Sequence, residues 1–273
     1  MQNLAILGRM RYLLSCIFLW LSSLPIAAIA AGDSLHVVIL GDSNTWLGGD
    51  GCDKPQGWNK WFRDAFQPAS CRSFARSGAT WTNTPQTRRN TQENIGVLGN
   101  DNVIYNQICR LEEAINNCSQ PEPQIILILA GTNDAWFQKA RPKALSMTTD
   151  EAFSSDSQAF RKLTVCEIVT LAESVRYGCE LLMTLCPKAQ IVLLTPFQSV
   201  QAGNTIFKVS DLIAQCGHRM GLNVIRLDQQ SGIHAAREKN KHYLTTDGTH
   251  TSEEGARRVG TFVARQLSTL LQY

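Results

Sequence analysis

From residue 35 onward, short uninterrupted apolar runs alternate with longer stretches whose apolar side chains recur every three or four positions. Residues 35–40 (LHVVIL) end at Gly41, residues 124–130 (QIILILA) lie between Pro123 and Gly131, and residues 190–195 (QIVLLT) stop at Pro196. Runs of this length without polar alternation suit strands buried on both faces. Residues 222–227 read as another strand and 71–75 as a weaker one. Helical spacing falls at 57–66, 103–118, 205–220 and 252–271. Within 161–186, Cys166, Val169, Ala172, Val175, Cys179 and Leu182 repeat at that spacing and predict one long helix ended by Pro187. Strands separated by helices pair in parallel, with helices covering both faces of the sheet. The expectation is an α/β fold, a flavodoxin-like three-layer α/β/α sandwich of about five parallel strands. Its site would sit outside the carboxyl ends of those strands. Two polar stretches, 82–102 and 138–156, are expected to form functional loops on that rim.

The first 30 residues follow a different pattern. Arg9 and Arg11 precede an apolar stretch that closes on Ala28-Ile29-Ala30. A basic start, an apolar middle and a small-residue end read as a secretory signal peptide, with cleavage expected after Ala30. An uncleaved anchor is the alternative, since the run approaches the ~20 residues that span a bilayer. Pro25 and the alanine cluster favour cleavage and export. The remainder, residues 31–273, is a suitable length for one well-cored domain.

Charge and cysteine content narrow the picture further. The net charge is +3 with 26 basic residues, and without Arg9 and Arg11 the balance is 24 basic against 23 acidic. No basic run appears, so neither nucleic acid nor a membrane surface is indicated as a partner. Nine cysteines occur, eight of them beyond Cys16. In an exported chain that even number permits disulfides, with the pairing open. No C-x-x-C pair exists, which argues against a zinc knuckle or a thioredoxin-like site. Cys166, Cys179 and Cys186 fall on the apolar stripe of the predicted helix and read as packing residues.

Four short segments carry chemistry. Gly41-Asp42-Ser43-Asn44 follows the first strand directly, where a serine in a glycine-containing turn would expose its hydroxyl and its own N–H together. A plain turn and helix cap is the competing reading. The same tripeptide at Gly32-Asp33-Ser34 precedes the strand, so position selects Ser43. Gly131-Thr132-Asn133-Asp134 follows the strongest strand, and the Asn133 amide there could donate to an oxyanion. Asp247-Gly248-Thr249-His250 precedes the last helix, whose start is marked by capping-box spacing from Thr251 to Glu254. An acid three residues before a histidine can hold its Nδ1–H and aim Nε2 at a serine. His36, His218, His234 and His242 lack such a partner in a loop that opens a helix. Ser77-Gly78-Ala79 follows the second strand, where a glycine could bring its N–H close to a reacting group.

Together, in their order along the chain, the segments resemble the four blocks of the SGNH (GDSL-like) hydrolases. Ser43, Gly78, Asn133 and His250 match the four name-giving residues, and Asp247 matches the third triad member. The resemblance spans about residues 38–260. It departs at Asn44, where the GDSL name expects Leu. It implies a serine esterase with Ser43 as nucleophile, His250 as base and Asp247 as its partner. Ser43, Gly78 and Asn133 would form the oxyanion hole, and no metal or organic cofactor would be required.

Trp46, Trp81 and Trp136 each lie three residues beyond Ser43, Gly78 and Asn133, so the three indoles could line one sugar-binding pocket. Ordinary packing is the competing reading. Family habit suggests deacetylation of a glycan, and Arg76, Arg88 and Arg89 are candidates to bind an acidic substrate group. An acyltransferase using the same site and a non-catalytic carbohydrate-binding protein are the alternatives.

Overall fold

The computed structural model describes residues 35–160 and 162–271. The signal-peptide reading concerns residues 1–30 and lies outside them. The described chain runs β1 (His36–Gly41), α1 (Ser43–Trp46), α2 (Trp58–Phe66), β2 (Ser70–Ser73), α3 (Ile104–Asn116), β3 (Ile125–Leu129) and α4 (Thr132–Trp136). Two short turns follow, α5 (Thr149–Ala152) and α6 (Ser157–Phe160), then α7 (Leu171–Leu185), β4 (Gln190–Leu194) and α8 (Thr205–Arg219). The chain closes with β5 (Asn223–Ile225), α9 (Leu227–Gln230), α10 (Ala235–Asn240) and α11 (Glu253–Leu271).

The five strands form one sheet in the order β2-β1-β3-β4-β5, and every pairing is parallel. β3 sits at the centre and is buried along its whole length, as its uninterrupted apolar sequence requires. Alternate side chains face opposite layers. Val38, Leu40, Ile126, Ile128 and Leu193 pack with residues of α3, α7 and α8. Val37, Ile39, Leu127, Val192 and Leu194 pack with residues of α2 and α11. The three-layer α/β/α expectation is therefore met. On the second face α2 and α11 nearly touch: a Cβ on Gly260 would stand 2.2 Å from the Trp58 carbonyl oxygen. Only a glycine permits that approach. Among the described residues no helix is long and apolar enough to cross a membrane.

Local capping redraws some predicted boundaries. The helix expected over 161–186 begins at Leu171, because Thr170 and Glu173 form a reciprocal capping box. A second such box, Thr164 with Glu167, confines Val165–Glu167 to a separate 3₁₀ turn. Cys166 and Val169 consequently lie outside the helix, and Cys166 is partly exposed. Cys179 and Cys186 are fully buried, as expected of packing residues. At α11 the cap is Ser252, whose Oγ accepts the Gly255 N–H at 3.2 Å. Thr251, expected to be that cap, instead donates its hydroxyl to the Gln56 carbonyl at 2.9 Å. The second strand ends at Ser73, although Phe74 still bonds through its N–H to the Ile39 carbonyl at 2.9 Å.

Candidate functional site

β1 delivers its carboxyl end to a turn at Asp42. Asp42 Oδ1 accepts the Asn44 N–H at 3.1 Å and so caps α1, the one-turn helix that begins with Ser43. The turn is tied down on three sides. The Asp42 N–H donates to the Leu129 carbonyl at the end of β3. The buried Gln107 of α3 brackets Gly41, accepting its N–H and donating to its carbonyl, both at 2.8 Å. The Arg76 N–H donates to that same carbonyl at 3.2 Å. A hydroxyl on so restrained a backbone is held in position before any partner molecule arrives.

The loop before α11 brings His250 to this turn. His250 Nε2 lies 3.0 Å from Ser43 Oγ, and Nδ1 lies 2.7 Å from Asp247 Oδ2. The tautomer that serves both contacts donates Nδ1–H to Asp247 and accepts the serine proton at Nε2. Asp247 is fixed in turn. Its Oδ1 accepts the backbone N–H of His250 at 2.7 Å and of Thr249 at 2.9 Å. Gln201 donates to the Asp247 carbonyl at 2.6 Å. Burial pushes the Asp247 carboxyl up, but the His250 ring and these two N–H groups together hold it below the ordinary carboxylate range.

The remaining expected residues sit on neighbouring loops. Gly78 occupies the turn closed by the Ala79 N–H on the Arg76 carbonyl, at φ +78°, and a Cβ there would meet Val97 at 2.7 Å. A left-handed residue in that position favours glycine. Asn133, at the start of α4, donates its side-chain amide to the Ala79 carbonyl at 2.9 Å. This bond fixes the amide beside the Gly78 turn. Asp134 reinforces the link, since its carboxylate accepts the Trp81 N–H, the Thr82 N–H and the Thr82 hydroxyl at 3.0, 2.9 and 2.5 Å.

Two sequence-based expectations about substrate contacts change. Trp46 and Trp136 are exposed, and Trp136 stacks on Phe137 with ring centres 4.9 Å apart. Trp81 is buried, and its ring enters the core against Gly178 of α7 and Ile108 of α3. With its backbone held by Asp134, the indole has no place on the rim. The three tryptophans therefore do not share a pocket. The arginine expectation is corrected as well. Arg76 is paired with Asp50 and Glu93, and Arg89 with Glu112. Arg88 donates to the Pro85 and Thr87 carbonyls. The cationic cavity on this rim is elsewhere. It measures about 270 Å³ and is lined by Thr82, Asn83, Thr84, Asn100, Arg141 and Lys143 among others, none of them acidic. A second cavity, about 320 Å³, lies between Trp46, Arg76, Ser77 and Val97.

Sequence reasoning missed Asn44, Gln107 and Asp134 as supports of the site. Gln107 left a trace, as a polar residue on the apolar stripe formed by Ile104, Ile108 and Leu111. Asn44 and Asp134 lay inside the motifs, Asn44 read only as a departure from the expected Leu and Asp134 given no role.

A hydroxyl, an imidazole and a carboxylate in series at the carboxyl edge of a parallel α/β sheet are the groups that serine-dependent acyl transfer requires. The sequence pattern of the GDSL-like Lipase/Acylhydrolase family matches residues 39–258, and the chain belongs to that family. Ester hydrolysis in general is the activity this membership supports. Solved structures share the fold at low identity. A possible lipase from Chitinophaga pinensis is 14% identical with a TM-score of 0.56, covering 87% of this chain and 99% of its own. The lipase/acylhydrolase from Enterococcus faecalis is 15% identical with a TM-score of 0.50, covering 87% and 98%. An acetyl xylan esterase is 15% identical with a TM-score of 0.50, covering 86% and 100%. No curated protein matches the chain.

Proposed function

We propose that this chain is an exported serine esterase that removes short acyl groups, acetyl above all, from carbohydrate esters. The observation that carries the reading is the continuous contact from Asp247 through His250 to Ser43. Ser43 Oγ attacks the ester carbonyl while its proton passes to His250 Nε2. Asp247 stabilises the imidazolium that results. The N–H groups of Ser43 and Gly78 and the Asn133 amide receive the oxyanion. The alcohol leaves with the proton from His250. Water then gives a proton to His250 and attacks the acyl-enzyme, and His250 returns that proton to Ser43 Oγ as the acid leaves.

Exposed Trp46 and Trp136 beside the Ser43 and Asn133 segments favour a sugar, whose apolar face suits an indole. The structural neighbour described as an acetyl xylan esterase makes an acetylated polysaccharide the substrate class we carry over to this chain. Export rests on the pattern of Arg9, Arg11 and Ala28-Ile29-Ala30. The test is hydrolysis of a chromogenic acetyl ester, and acetate release from a panel of acetylated glycans, by wild type and Ser43→Ala. A loss of roughly 10⁵-fold or more in the variant is expected. Equal rates would remove Ser43 from the mechanism. Glycan binding without turnover in either protein would favour a binding module.

A further inference from the structure

The loop after the nucleophile and the edge strand of the sheet run side by side. The Asp50 carbonyl accepts the Ser73 N–H at 2.8 Å. Across this contact the sulfur of Cys52 lies 3.5 Å from the sulfur of Cys71. Among the described residues it is the one pair of cysteine sulfurs in such contact. Cys52 is fully buried and holds a left-handed backbone at φ +52°, a conformation that non-glycine residues seldom adopt. Asn59 donates its amide to the Cys52 sulfur at 3.4 Å. The neighbourhood therefore fixes where that sulfur points. Cys71, on β2, is partly buried.

We propose that Cys52 and Cys71 form a disulfide that ties the loop behind Ser43 to the edge of the sheet. The sulfurs must close by about 1.5 Å from their 3.5 Å separation, while the Asp50–Ser73 hydrogen bond already holds the two backbones side by side. The oxidant is itself a disulfide, on a thiol–disulfide oxidoreductase or as glutathione disulfide. The Cys71 thiolate attacks it, and one oxidant sulfur leaves as a thiolate. Cys52 loses its proton, attacks the Cys71 sulfur of the mixed disulfide and expels the second oxidant sulfur. Two thiols have then lost two electrons and two protons, and the oxidant has become its dithiol or two thiols. The Cys52 contact and burial hold the Cys71 thiol well above its ordinary range once the protein is folded. Because Cys52 is fully buried in the folded chain, the bond forms while the chain folds, before Cys52 is covered.

The cross-link acts on the site through the loop it anchors. Asp50 on that loop pairs with Arg76, two residues before Gly78. Gln56 on the same loop accepts the hydroxyl of Thr251, the residue after His250. One tether thus supports both the oxyanion turn and the histidine loop. It also closes a ring that contains all of α2, which removes loop freedom from the unfolded chain.

The full chain, refolded from urea in a mixture of reduced and oxidised glutathione, alkylated, and digested without reduction, provides the test. Mass spectrometry should recover a peptide pair joined through Cys52 and Cys71, lighter by two hydrogens than the free peptides. Recovery of both residues as alkylated thiols, or each joined to another cysteine, would overturn the proposal. Reduction should lower the melting temperature by about 5–10 °C. That difference should vanish in C71S. A joined peptide pair with an unchanged melting temperature would refute the anchoring role. The peptide map uses wild type alone, so it decides the question even where C71S does not fold.

Discussion

Asn44 Oδ1 accepts the backbone N–H of Thr251 at 3.2 Å, joining the neighbour of the nucleophile to the neighbour of the imidazole across 207 positions of sequence. Both groups are buried. The residue that departs from the GDSL spelling thus bonds the Ser43 turn directly to the His250 loop. Leucine has the same branching and number of heavy atoms but leaves the Thr251 N–H without an acceptor, at a cost of about 1–3 kcal/mol. Asn44→Leu should lower the melting temperature and reduce kcat on a chromogenic acetyl ester by about tenfold. Asn44→Asp, which keeps the acceptor, should recover most of the rate. Wild-type melting and kcat in the leucine variant would show that the bond does not position His250.

This contact also marks how far the sequence could be read. The five strands and their parallel order were legible because β3 and β4 are buried runs with no competing pattern. The placement of Ser43, Asn133, Asp247 and His250 on neighbouring loops was legible because each lies in a segment that follows a predicted strand or precedes a predicted helix. Their supports were not. Gln107, Asn44 and Asp134 act through partners 66, 207 and 53 positions away, which no local pattern encodes. Trp81 misled for the same reason. Its spacing from Gly78 copies that of Trp46 from Ser43, but the carboxylate of Asp134 decides which way its backbone turns.

Asp42 supplies a pH signature. Burial pushes its carboxyl from the ordinary 3.8 up to about 6, against the Asn44 N–H, which favours the charge. The folded protein therefore holds a proton between about pH 4 and pH 6 that the unfolded chain has released. Its stability should fall as the pH rises through that window and level off above it, a change on the order of 2–3 kcal/mol. Asp42→Asn keeps the Oδ1 acceptor for Asn44 and removes the titration. Melting temperatures of both proteins from pH 4 to 7 should diverge through the window, with the flatter curve for the variant. Parallel curves would mean that another group sets the dependence.

Asn133 is tied to the Ala79 carbonyl by one amide hydrogen. Its other amide hydrogen is free to meet an oxyanion. Removing a donor of this kind costs about 3–4 kcal/mol in the transition state. Asn133→Ala should therefore lower kcat by about 10²–10³-fold while KM for a small acetyl ester changes by less than about threefold. A rise in KM at unchanged kcat would assign Asn133 to ground-state binding instead.

Arg141 and Lys143 give the rim cavity its charge. Arg141 is 7% exposed, donates to the Leu98 carbonyl at 3.2 Å, and has a buried Nε with no hydrogen-bond partner. Burial lowers the affinity of its guanidinium for a proton, while nearby Asp134 raises it. Lys143 is exposed and forms no ion pair among the described residues. A cationic cavity without an acid on its walls favours an anionic substituent over a neutral one. On paired acetylated oligosaccharides, one neutral and one bearing a uronic acid, Lys143→Glu should raise KM for the acidic substrate by about fivefold or more, since a reversed charge near an anion costs about 1 kcal/mol. The neutral substrate should show a much smaller change, and added salt should narrow the gap. An equal change in KM for both substrates would exclude the cavity as a charge-selective subsite.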